Sequence, residues 1–109
     1  MALVHYEGGK TRDDLIEEVS KSEYALVDFF ATWCGPCRAL GPVLEEMQSE
    51  VDYNIIKVDI DSYQELAAIY GVRSIPTLIV FKGPNVLETF IGGRDKETLK
   101  KEVARIIGK

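Results

Sequence analysis

Residues 24–37 read YALVDFFATWCGPC. The first half, Tyr24–Phe30, is a nearly unbroken apolar run of strand length, the pattern of a strand covered on both faces. It holds one intruder, Asp28. The second half closes on Trp33-Cys34-Gly35-Pro36-Cys37, after which Leu40, Val43, Leu44 and Met47 recur at i, i+3, i+4 and i+7 and predict a helix. Gly35 permits the tight turn between strand and helix. Pro36 suits a first helical turn, where a missing N–H leaves no bond unmade. Cys34 then falls at a helix N-terminus, where unpaired N–H groups and the positive dipole end favour a thiolate, the nucleophile of disulfide exchange. Cys37, three residues on, shares its helix face and can attack a mixed disulfide formed at Cys34. Pro42 inside the periodic pattern predicts a kink.

Working outward, residues 3–6 form a short strand candidate ended by Gly8-Gly9. Thr11 and Asp14 make an N-cap pattern before a helix whose buried face is Leu15, Ile16 and Val19. Residues 54–60 alternate, with Ile56, Val58 and Ile60 on one face and Ile55, Lys57 and Asp59 on the other. Ser62 and Glu65 have capping-box spacing and open a short helix that should end at Gly71. Residues 77–81 and 86–91 are two β-rich runs joined by Lys82-Gly83-Pro84-Asn85, a plausible hairpin turn. Gly92-Gly93 breaks the chain, and Asp95 caps a last helix with Leu99, Val103, Ile106 and Ile107 inward. The order β-α-β-α-β-α-β-β-α implies an α/β protein, a three-layer sandwich around a mixed sheet.

The chain has 109 residues, room for one domain over 1–109. With 46% hydrophobic and 28% charged residues it is neither disordered nor low-complexity. Eighteen acidic against 13 basic residues leave a net charge of −5, which argues against a nucleic-acid partner. No apolar stretch approaches the roughly 20 residues that span a bilayer, so no membrane association is expected. Residues 1–20 lack the basic start, apolar run and small-residue cleavage site of an export signal. A Cys-x-x-Cys in an unexported chain suits a reducing, cytoplasmic location; a chain whose signal had been removed would read the same way. The two cysteines have other readings. A structural zinc site needs four ligands, and the sequence offers these thiols and a distant His5. A structural disulfide across so small a loop constrains the unfolded chain little. They could also be two unreactive buried thiols.

The chain resembles the thioredoxin family. The resemblance rests on Val27-Asp28-Phe29, Ala31, Trp33-Cys34-Gly35-Pro36-Cys37, Pro42, Lys57, Gly71, Arg73, Ile75-Pro76-Thr77, Phe81-Lys82 and Gly92, spread along the chain at the family's spacing. It implies the thioredoxin fold, a three-layer α/β/α sandwich with a central five-stranded mixed sheet and four helices. It also implies that Cys34 is an exposed nucleophile and Cys37 a buried resolving thiol. Asp28 would be a buried carboxylate helping to deprotonate Cys37. Independently, a carboxylate in an apolar strand is unfavourable unless paired or used, and burial should raise its pKa. Asp28 could instead simply pair with Lys57, and Lys57 could point to solvent. Ile75-Pro76 would be a cis peptide facing the cysteines, exposing the Ile75 backbone to an extended target segment. Trp33, Gly35, Pro36, Ile75 and Gly92 would form an apolar docking patch; Trp33 could otherwise belong to the core.

Two positions depart from the family's commonest pattern. Phe30 stands where many members carry a second tryptophan, and Gly83-Pro84-Asn85 replaces the usual Asn-Gly turn. Neither is expected to touch a thiol or its helpers. The implied activity is general protein-disulfide reduction by a Cys34–Cys37 dithiol. A separate thioredoxin reductase would restore the dithiol, disulfide-containing proteins would be the substrates, and a monomer is expected. No cofactor or metal is expected, since no glycine-rich dinucleotide or phosphate motif is present. An oxidase or isomerase is the nearest alternative, although Gly35-Pro36 resembles the reducing members; a redox-silent binding module is another.

Overall fold

The structure, a computed structural model, describes residues 1–108. Its elements are β1 (Leu3–His5), α1 (Arg12–Val19), β2 (Tyr24–Phe30), α2 (Gly35–Met47), β3 (Asn54–Asp59), α3 (Gln64–Ile69), β4 (Thr77–Lys82), β5 (Asn85–Ile91) and α4 (Lys96–Ile107). The order is the one expected. The five strands form a single sheet, β1-β3-β2-β4-β5, parallel across β1, β3 and β2 and antiparallel across β2, β4 and β5. β2 is therefore central, which explains its continuous apolar sequence: residues Ala25 to Phe29 are buried on both sides.

Alternation along the strands sorts the core into two layers. On one face Val27, Phe29, Ile56, Val58, Ile79 and Phe81 pack with Leu15 and Val19 of α1 and Leu66 and Ala67 of α3. On the other, Leu26, Ile55, Leu78 and Val80 pack with Leu40, Leu44 and Met47 of α2 and Leu99 and Val103 of α4. The expected α/β/α sandwich is the result. Ile55, assigned to the less apolar face of β3, is fully buried because α2 and α4 cover that face as well.

Local signals account for most element ends. The Thr11 side chain accepts from the Asp14 N–H, and Asp14 returns a bond to the Thr11 backbone, so this pair is a full capping box. Asp95 caps α4 by accepting from the Thr98 N–H at 2.9 Å. α2 runs through Pro42 as one helix. The Ser62–Glu65 capping box does not form. α3 begins after Tyr63 with no side-chain cap. Its entry is organised by Asp59, whose carbonyl accepts from the Ser62 and Tyr63 N–H groups and whose carboxylate accepts from the Asp61 N–H. That turn leaves Ser62 no cap to supply. α3 ends as expected at Gly71, whose φ of 68° lets the Val72 N–H reach the Ala67 carbonyl and the Gly71 N–H reach Ala68. The hairpin is tighter than the four-residue turn suggested: Lys82 and Asn85 pair, leaving only Gly83 and Pro84 in the loop.

Candidate active site

The site lies where β2 hands over to α2. After Phe30 the chain turns through Ala31, Thr32 and Trp33, and the Cys34 N–H closes that turn on the Ala31 carbonyl at 3.2 Å. Cys34 then caps α2: its backbone is extended, and its Sγ accepts from the Cys37 N–H at 3.2 Å. A negative sulfur here would meet an unpaired donor and the positive helix end together. Cys34 and Cys37 are joined as a disulfide, so the structure holds the oxidised form.

Cys37 is buried, as the resemblance implies. Cys34 is not the exposed group implied for it: it is only 5% exposed, against 3% for Cys37. The two cysteines form a buried cluster with Ala31, against which Phe30, Ile60 and Ile75 pack, and the Cys34 Sγ lies 3.7 Å from the Ile75 carbonyl oxygen. The flanking Trp33, Gly35 and Pro36 are exposed and form the rim around it. Trp33 is 65% exposed and belongs to this rim, not the core; its indole N–H donates to the Asp61 carboxylate at 2.9 Å. Asp61 escaped the sequence reading, because nothing local marks an acid 28 residues away as a tryptophan's partner.

Asp28 lies two residues before Phe30 on β2, on the sheet face covered by α2 and α4. It is fully buried, and neither carboxylate oxygen has a hydrogen-bond partner. Desolvation pushes its pKa up from 3.8 to about 7, partly opposed by the charge of Lys57. Lys57 is its register neighbour on β3, yet no hydrogen-bonded ion pair joins them. The Lys57 Nζ sits 4.5 Å above the Phe30 ring instead. A cavity of about 250 Å³, lined by Phe30, Ala31, Thr32, Cys37, Gly41 and Lys57 among others, opens beside Cys37. Phe30 thus touches both the thiol cluster and Lys57, contrary to the expectation that this departure would stay clear of them. An aromatic at the end of β2 shares the pleat of Asp28 and is bound to face α2.

Ile75 and Pro76 arrive from the loop before β4, joined by a cis peptide as the resemblance implies. Pro76 is buried and Ile75 partly exposed. The Pro76 carbonyl accepts from the Gly92 N–H at 2.8 Å, which brings the turn after β5 beside the cysteines. Cys34 meets Ile75, and Pro76 meets Gly92, so contacts link three distant segments, with Asp28 and Lys57 paired in register on β2 and β3. Among the described residues no cluster of three or more His, Cys, Asp or Glu could hold a metal, and no helix is long and apolar enough to cross a membrane.

Comparison with known proteins agrees with this geometry. The family model described as Thioredoxin matches residues 5–105. Thioredoxin of Bacillus subtilis is 44% identical over 96 residues, covering 86% of this chain and 92% of the relative. Thioredoxin of Chlamydia muridarum is 44% identical over 96 residues, covering 87% and 93%. Among solved structures, a mutant thioredoxin from Halobacterium salinarum superposes with a TM-score of 0.86 at 34% identity, covering 96% of this chain and 90% of that one.

Proposed function

From the premise that this chain belongs to the thioredoxin family of thiol-disulfide oxidoreductases, we propose how its residues divide the work of protein-disulfide reduction. The observation that carries the reading is the Cys34 sulfur, placed at the N-cap of α2, bonded to Cys37 and set against the Ile75 carbonyl. In the dithiol form the Cys34 thiolate attacks one sulfur of a target disulfide. A mixed disulfide forms and the other target sulfur leaves as a thiolate. Cys37 gives its proton to Asp28 and attacks the Cys34 sulfur, which releases the second target thiolate and closes the Cys34–Cys37 disulfide. Two electrons pass to the target, and the product is the oxidised form described above.

Asp28 suits proton acceptance near neutral pH because burial raises its pKa to about 7. Lys57 keeps that value from rising further. Trp33, Gly35 and Pro36 border the nucleophile, and Ile75, Pro76 and Gly92 present backbone and apolar surface to an extended target strand.

The remaining assignments belong to the same reading. One domain spans 1–109, supported by the family match over 5–105; Lys109 lies outside the described residues. A thioredoxin reductase returns the two electrons, which makes the protein an electron carrier. It works as a monomer in the cytoplasm, where a reducing milieu preserves the dithiol. The test is turnover of a disulfide-linked protein with an external electron source. Cys34→Ser should abolish it, whereas Cys37→Ser should accumulate the mixed disulfide. Turnover retained by Cys34→Ser would refute the assignment.

A further inference from the structure

One side chain holds the turn after β5. The Arg94 Nη1 donates to the carbonyls of Ile91 at 3.0 Å and Gly92 at 2.8 Å. Its Nε donates to both carboxylate oxygens of Glu102 on α4, at 3.0 and 3.2 Å. Its guanidinium lies 5.2 Å from the centre of the Phe90 ring, which is itself buried. The group is thus fixed from three directions: backbone, α4 and an aromatic face.

The segment it fixes needs fixing. Gly92 adopts a φ of 89° and is followed by Gly93, so two consecutive residues lack the side chains that would restrict the backbone. Gly92 is also the residue whose N–H meets the Pro76 carbonyl, next to the Ile75 carbonyl that lies against Cys34. A continuous set of contacts runs from Glu102 through Arg94 and Gly92 to Pro76 and Ile75, without Arg94 touching either sulfur.

We propose that Arg94, anchored by Glu102, is a positioning residue for target docking, holding the turn at residues 91–93 in the orientation that pairs it with Pro76. The proposal rests on the reading of Ile75 and Gly92 as docking residues. Its physical basis is preorganisation: a turn already ordered does not have to be ordered by each incoming target. The planar guanidinium is needed because one nitrogen serves two carbonyls while another meets the carboxylate; the lysine ammonium is a point charge without that fork. The thiol chemistry does not involve Arg94, so its loss weakens binding and leaves the bond-exchange steps intact.

Arg94→Met keeps an apolar stem over Phe90 and removes the clamp. Its KM for a disulfide-linked protein should rise about tenfold with kcat preserved, and its rate with a small aromatic disulfide should stay at the wild-type value. Trp33→Ala is measured beside it as an independent probe of docking. A wild-type KM in Arg94→Met while Trp33→Ala raises KM overturns the proposal alone; wild-type KM in both overturns the docking reading beneath it. An equal loss toward the small disulfide also overturns it, since that would put Arg94 on the dithiol chemistry. If Arg94→Met fails to fold, Glu102→Leu, which leaves the Arg94 Nε without that acceptor, decides: a raised KM supports the proposal and a wild-type KM overturns it.

Discussion

Replacing Asp28 by asparagine isolates the free energy of holding a carboxylate without partners inside the sheet. The folded pKa is about 7 against 3.8 for the ordinary group, so the native state binds the proton more tightly than the unfolded chain. Where the native state holds more protons, stability falls as pH rises. The fall begins near 3.8, where the unfolded chain ionises, and levels off above about 7, where both states are charged. Three units at about 1.36 kcal/mol each make the full penalty roughly 4 kcal/mol. Asparagine never ionises and does not carry this penalty. Its amide is as short of partners as the neutral acid, since both Asp28 oxygens lack them. Near pH 4 the two proteins therefore differ only by an amide against an acid, and that comparison supplies the baseline. Between pH 4 and pH 8.5 the advantage of Asp28→Asn should grow by roughly 3–4 kcal/mol. Guanidinium titration of both proteins in the disulfide form reads this as a midpoint difference widening by about 1 M. On the proposed role of Asp28 as proton acceptor, the Cys37 step of exchange should slow in the same variant. A stability difference that stays flat across pH, or an asparagine protein that is weaker at pH 8.5, would refute a carboxylate held unpaired by burial.

Two more perturbations test neighbouring parts of the structure. Lys57→Met removes the one charge that lowers the Asp28 pKa, so the Asp28 midpoint should move above about 7. Carboxyl-carbon NMR titration reads this directly, and an unmoved midpoint would mean that the Lys57 charge does not reach Asp28. Gly71→Ala adds a methyl that meets nothing within 4 Å at a φ of 68°. The loss should therefore be the left-handed backbone penalty alone, about 1–2 kcal/mol by thermal or denaturant unfolding, and a null effect would contradict the helix end described.

What the sequence made legible follows from the range over which each feature acts. The central strand could be read from Tyr24–Phe30 because burial on two faces leaves a continuous apolar run with no alternation to confuse it. The caps at Thr11 and Asp95 bond groups three residues away, inside any local window. The cap at Ser62 was misread because Asp59 closes the same turn first, and two overlapping local signals cannot be ranked without the backbone that chooses between them. The low exposure of Cys34 could not be read at all, since its cover comes from Ile75, 41 positions along. Asp61 and Arg94 were missed for the same reason. Each acts on a residue already singled out, but through tertiary contact or through carbonyls, which no side-chain pattern records.

The pleat of β2 ties the stability of the fold to the chemistry of its end. Alternate residues Leu26, Asp28 and Phe30 face the same side, so the strand presents an apolar anchor, an acid and an aromatic to α2 in that order. Moving the acid by one residue would turn it toward α1 and α3, away from Cys37, and moving it by two toward Phe30 would put it at the edge of the cavity, where water reaches it. In the wet position its pKa would return toward 3.8, and it would be a poor proton acceptor near neutral pH. Of the positions compared, residue 28 alone combines burial with the sheet face that α2 covers. The roughly 4 kcal/mol by which ionised Asp28 would weaken the fold is therefore tied to the proton-accepting role proposed for it. The two continuous core layers packed on either side of β2 are what allow a domain of 109 residues to sustain it.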